Sequence, residues 1–195
     1  MPGFRREEVY FLDTSALVKR YVVEPGSSLV DEVYSNAYRG LVRLALSYWN
    51  IAEAAVVLDK YERRLGLNAR RLLSSLLSES ATLSRLRRLL VVGVSPSILR
   101  ESVELVLKHH IYVAEALQVA SAKSLNSDRS VTGDGDLARV TEAKGVITVY
   151  FGEAWSRVVT CSPTVPPGAE ACSSCFFHAV LYCVTSRSTL FTRSH

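Results

Sequence analysis

Four acidic residues stand where this sequence is otherwise apolar or small. Asp13 ends the run VYFLD and is followed by two hydroxyls, Thr14 and Ser15. Asp134 follows the run SVTG, with Asp136 two residues later. Glu53 sits in IAEAA and Glu115 in YVAEALQVA, each among alanines that let a helix approach its neighbour closely. A carboxylate in apolar surroundings is costly unless something positive meets it. Taken singly, each has an ordinary reading: a strand-end Asp caps a helix, and a helical Glu faces solvent. Converging on one cleft, the four would repel and raise one another's pKa, which a divalent cation relieves. Oxygen-only ligands favour Mg²⁺ or Mn²⁺ over zinc or copper. Such an ion can hold a phosphate, stabilise a leaving oxygen and supply hydroxide from bound water. His109 and His110, shortly before Glu115, read as helix-end residues rather than ligands.

Gathering these acids requires strands that end at one edge. The pattern predicts short buried strands over 9–12, 41–46, 90–94, 130–132 and 146–150. Helices are predicted from about Ala16, after the Glu24-Pro25-Gly26-Ser27 break to about Tyr38, and over 48–64, 69–89, 98–108, 113–125 and 136–144. Asp13, Thr14, Ser15 and Ser47 are cap types, Ser95-Pro96 places a cap and a first-turn proline, and Gly40, Gly66 and Asn68 punctuate. Strands alternating with helices predict an α/β fold whose parallel sheet is covered on both faces. Ligands in such a sheet bind beyond the carboxyl ends of the strands, where Asp13 and Asp134 fall.

A chain of 195 residues, 48% hydrophobic and 22% charged, has enough apolar content for one well-filled core, which excludes a disordered chain. No apolar run approaches the ~20 residues needed to cross a bilayer, and Arg5, Arg6, Glu7 and Glu8 do not lead into a signal-peptide core. The expectation is a cytoplasmic protein. A net charge of +4 is compatible with a polyanionic partner but does not require one. Arg63, Arg64, Arg70, Arg71, Arg85, Arg87 and Arg88 are read as one helical stretch poor in acids, either a solvated face or an RNA-contacting surface. The cysteines, Cys161, Cys172, Cys175 and Cys183, all lie in a Ser/Thr/Cys-containing tail over 156–195, after a domain over 1–155. Their spacing matches no common zinc module, and the tail is assigned no chemistry.

Four segments, VYFLDTSALVKRY, SYWNIAEAAVVLDKY, YVAEALQVASA and SVTGDGDLARVTEAKGV, in that order and spacing, resemble the PIN-domain family. Within it they resemble the VapC-like toxins of prokaryotic toxin–antitoxin pairs. The resemblance spans 9–151 and implies a three-layer α/β/α sandwich with a central parallel sheet. It also implies Mg²⁺- or Mn²⁺-dependent endoribonuclease activity, as the toxin of a type II pair. On the matching motifs it makes Asp13, Glu53, Glu115 and Asp134 catalytic and metal-binding. Thr14 and Thr132 become hydroxyls near the metal, and Asp136 an outer-shell acid. It implies an RNA substrate, a small antitoxin partner and a homodimer. One position departs from the family, which usually has aspartate where this chain has Glu115. The extra methylene moves the carboxylate outward by one bond, roughly 1.5 Å. A rotamer change or ligation through water absorbs that, or the metal is held more weakly. A non-catalytic PIN-like scaffold and a housekeeping RNA-processing nuclease are the alternatives. A haloacid-dehalogenase-type enzyme wants a second Asp two residues after the first, a position held here by Ser15.

Overall fold

A computed structural model describes residues 6–151; the tail over 156–195, with its four cysteines, lies outside the described residues. In chain order the elements are β1 (Glu8–Leu12), α1 (Thr14–Lys19), α2 (Ser27–Tyr38), β2 (Val42–Ser47), α3 (Tyr48–Leu65) and α4 (Ala69–Arg85). They continue with β3 (Leu89–Val92), α5 (Pro96–His109), α6 (Val113–Ser124), β4 (Arg129–Thr132), α7 (Gly135–Ala143) and β5 (Ile147–Tyr150). All strand pairs are parallel and the order is β3-β2-β1-β4-β5. The fold is therefore α/β, with helices on both faces of one parallel sheet.

Side-chain alternation divides the core between the two faces. Val9 and Phe11 of β1, with Ala45 of β2, pack towards Ala122 of α6. Leu12, Leu44 and Leu46 point to the opposite face and pack with Leu17, Val30 and Leu58 from α1, α2 and α3. Successive strand residues face opposite ways, so both registers of β1 must be apolar, which is why it reads as a continuous hydrophobic run. A third cluster joins α5, α6 and α7 through Leu105, Val119 and Leu137.

The chain builds outward from β1 to β2 and β3, then returns past β1 to add β4 and β5. The strand order thus reverses between β1 and β4, and a crevice opens there at the carboxyl edge. Asp13 N–H donates to Val131 carbonyl oxygen at 3.1 Å, which ties the two strand ends together at that point.

The leucine spacing predicts a helix over 69–89, but α4 ends at Arg85 and Leu89 opens β3. No Gly or Pro marks the change; Arg87 takes the left-handed conformation (φ 58°) that a glycine usually supplies. The seven arginines consequently do not share one helical stretch. Arg63, Arg64, Arg70 and Arg71 flank the turn between α3 and α4, while Arg85, Arg87 and Arg88 lie at the other end of α4. Among the described residues, no helix is long and apolar enough to cross a membrane.

Candidate active site

At the reversal point the structure brings Asp13, Glu53, Glu115 and Asp134 to the wall of one cavity of about 640 Å³. Asp13 continues from the central strand and caps α1, accepting from Ala16 N–H at 2.7 Å. Ser15 Oγ donates to its Oδ1 at 2.8 Å and Thr132 Oγ1 donates to its Oδ2. The residue is 3% exposed, and burial pushes its carboxyl up to about 6 against the pull of these donors; the charge of Asp134 adds to the rise. Thr132 is buried beneath Asp13 rather than lining the cavity.

Glu53 lies in the second turn of α3, a helix started by Ser47 and Asn50 in a capping box. Thr14 Oγ1 donates to Glu53 Oε2 at 2.7 Å, and Gln118 Nε2 donates to the same oxygen at 2.8 Å. The amide orientations follow from one group that can only donate. Ser47 N–H gives to Asn50 Oδ1 at 2.8 Å, so Asn50 Nδ2 faces Gln118 Oε1 at 2.9 Å, which leaves Gln118 Nε2 for Glu53. Asn50 and Gln118 are both buried, so this chain of amides is sheltered from water and fixes Glu53 across three elements.

The other two acids are held differently. Glu115 is in the first turn of α6, and its Oε2 accepts from Tyr112 N–H at 3.3 Å. Burial raises its pKa, and Asp134, Asp136 and Glu53 raise it further. Asp134 caps α7, its Oδ1 accepting from Asp136 and Leu137 N–H at 2.8 and 2.9 Å. Asp136 is exposed, pairs with Arg139 at 3.3 Å and does not line the cavity. Gly133 is needed between Thr132 and Asp134 because a Cβ there would come within 2.6 Å of the Phe151 ring.

Sequence reasoning did not place Asn50 or Gln118 in the site and read Ser15 only as a cap-type hydroxyl; Lys19, Lys60, Tyr61 and Glu24, which also line the cavity, were not counted as site residues. Lys19 pairs with Glu24 at 2.8 Å, and Tyr61 donates to the same Glu24. The amides did leave a sign, since a Gln in ALQVASA and an Asn three residues after a capping Ser each interrupt an apolar helix face.

All four candidate carboxylates offer oxygen, and Asp13 and Glu115 bind protons more readily than usual, so added positive charge is favourable there. That donor chemistry fits a hard divalent ion. As the side chains stand, no three of His, Cys, Asp or Glu are close enough to enclose one among the described residues.

Residues 10–143 match the PIN domain family, and the chain belongs to that family. Its fold is similar to that of Mycobacterium tuberculosis VapC20, a Sarcin-Ricin loop cleaving toxin. The identity is 15%, over 72% of this chain and 98% of that one, with a TM-score of 0.55. VapBC2 from Rickettsia felis, solved with a DNA fragment from its promoter, is 18% identical over 73% of this chain and 98% of its own (TM-score 0.51). PAE2754 from Pyrobaculum aerophilum is 24% identical, covering 80% and 99% (TM-score 0.51). No curated protein matches the chain.

Proposed function

We propose that this protein is a metal-dependent endoribonuclease that hydrolyses RNA phosphodiester bonds as the toxin of a type II toxin–antitoxin pair. The observation that carries the reading is the meeting of Asp13, Glu53, Glu115 and Asp134, from four separate segments, in one cavity at the sheet's reversal point. Mg²⁺ or Mn²⁺, held by these four residues, would neutralise charge on the phosphate and acidify a bound water. Thr132, Ser15 and the Ala16 N–H keep the Asp13 carboxyl aimed. Both donors to Glu53 fall on Oε2, and Oε1 has no partner among the described residues. With Glu53 reaching the ion only through water, that oxygen would take the proton of the attacking water as the new P–O bond forms, while the bond to the leaving ribose oxygen breaks and that oxygen takes a proton from solvent.

The likeness to VapC20, a toxin, and to VapBC2 supports a small antitoxin that covers the cavity in the cytoplasm. A homodimer is supported by α5, whose Leu99, Val103 and Leu107 form an exposed apolar stripe at i, i+4 and i+8. The purified chain should cleave single-stranded RNA with Mg²⁺ or Mn²⁺, and Asp13→Asn should not; equal cleavage by both refutes the assignment.

A second reading, a PIN-like scaffold that binds RNA or protein without cutting, draws on the engagement of Glu115 and Asp134 with their own helix starts. Isothermal titration with Mn²⁺ separates the two. Binding at about one or two ions per chain supports the nuclease, and no heat supports the scaffold.

A further inference from the structure

We infer that the RNA strand leaves the acidic cavity along α3, its phosphates held by Lys60 and Arg64 and then by Arg70 and Arg71 at the helical turn. This rests on the nuclease reading above and adds the path of the substrate.

Helix geometry sets the path. At 100° per residue, Glu53, Val57, Lys60 and Arg64 lie on one face of α3 at i, i+4, i+7 and i+11. Glu53, Val57 and Lys60 all line the cavity, and Arg64 is the next residue on that face. At 1.5 Å per residue, Lys60 and Arg64 are about 10 and about 16 Å beyond Glu53 along the axis, a run suited to successive phosphates of one strand. The face therefore passes from carboxylate to apolar to basic with distance from the site.

Pairing selects which cations are available. Arg63 is held by Asp59 at 2.7 Å and Lys19 by Glu24. Lys60, Arg64, Arg70 and Arg71 are exposed, and none forms an ion pair among the described residues. Helix electrostatics supply an independent argument. Arg70 and Arg71 stand in the first turn of α4, which contains no acid, although a helix start favours negative charge. A turn that keeps positive charge against its own helix dipole, beside two arginines ending α3, is built for a polyanion rather than for stability. At the far end of α4, Arg88 is neutralised by Glu7 at 2.8 Å. Arg85 and Arg87 form no ion pair among the described residues but stand a whole helix length away from the α3–α4 turn, so position rather than pairing sets them apart.

The test uses the full chain and a short fluorescein-labelled single-stranded RNA, with anisotropy in EDTA and cleavage in Mg²⁺. Lys60→Ala/Arg64→Ala and Arg70→Ala/Arg71→Ala should each weaken binding and raise KM about tenfold while leaving kcat within about twofold. Each should also lower the slope of log Kd against log salt by about 2, roughly one per phosphate contact. Arg85→Ala/Arg87→Ala should change neither. If Lys60→Ala/Arg64→Ala binds and cleaves as the parent does, the path is wrong and the nuclease reading stands. If the Arg85/Arg87 control weakens binding as much, the positive charge acts diffusely and the path is equally wrong. A parent that neither binds nor cuts RNA removes the nuclease reading and the path with it.

Discussion

The cavity has two halves made from the same functional group. Asp13 caps its own helix, but both it and Glu53 are also held by partners from other elements: Thr132 across the strand pair, and Thr14 and Gln118 from two further helices. Glu115 and Asp134 spend their oxygens on backbone N–H groups at the starts of α6 and α7. The first pair is fixed by the tertiary fold, so its geometry is set before any substrate arrives. The second pair is held by single-helix capping bonds that a side-chain rotation can exchange. The difference teaches where rigidity resides: the sheet edge positions charge, and the helix starts supply charge that can adjust.

The strongest way to break this comparison is Asp13→Asn, expected to lower kcat on RNA on the order of 10²–10³-fold. The same change should stabilise the metal-free chain at neutral pH. Burial raises the Asp13 pKa from an unfolded value near 3.8 to about 6. Its protonated form is therefore favoured in the folded state, and the stability it lends below about pH 4 is lost as pH rises through about 6. A rise from 3.8 to about 6 makes that loss about 3 kcal/mol. Urea unfolding across that range should show this slope in the parent and not in the variant; parallel curves would mean that Asp13 is better solvated than its burial indicates.

Next in size is Gln118→Leu, which removes the donor to Glu53, takes the acceptor from Thr14 N–H and leaves Asn50 Nδ2 only its longer bond to Thr14 Oγ1 at 3.3 Å. It should lower kcat about 10–100-fold, the range for a residue that orients a site carboxylate. The buried Thr14 N–H left without its acceptor should cost about 1–3 kcal/mol by thermal melting. Gly133→Ala drives a methyl group against the Phe151 ring and should destabilise the fold by about 1–3 kcal/mol, read from the same melts. Smallest should be Glu115→Gln, in which the amide oxygen can still accept from Tyr112 N–H. Stability should move by no more than about 0.5 kcal/mol, and activity should fall about tenfold, or about 1.4 kcal/mol. A loss as large as that of Asp13→Asn would erase the distinction between the two halves.

Much of the fold could be read from local pattern. The strand at β1, the Ser47 and Ser95 caps and the alternation of strands with helices follow from apolar periodicity and cap chemistry, which act within a few residues. The end of α4 could not, because LSRLRRLL suits helix and strand alike and only tertiary pairing of Leu89 with Leu44 decides. Among site residues, acids stand out against apolar neighbours and so were visible. Asn50 and Gln118 were not, since their role is mutual and depends on two helices meeting 68 residues apart in sequence. The arginines were visible as a group, but their division between the two ends of α4 depends on where that helix stops.

The strand order also has a consequence in time. β1 is made first and occupies the centre of the sheet, yet its neighbour on one side, β4, is translated almost 120 residues later, as the 119-residue separation between Asp13 and Thr132 records. A ribosome-bound polypeptide that stops short of β4 lacks both Thr132 and Asp134. It carries Asp13 on an unclosed sheet margin, with long-range pairing still ahead of it. An unfinished copy therefore lacks one wall of the cavity, which is completed only once the late strand slots beside the earliest one.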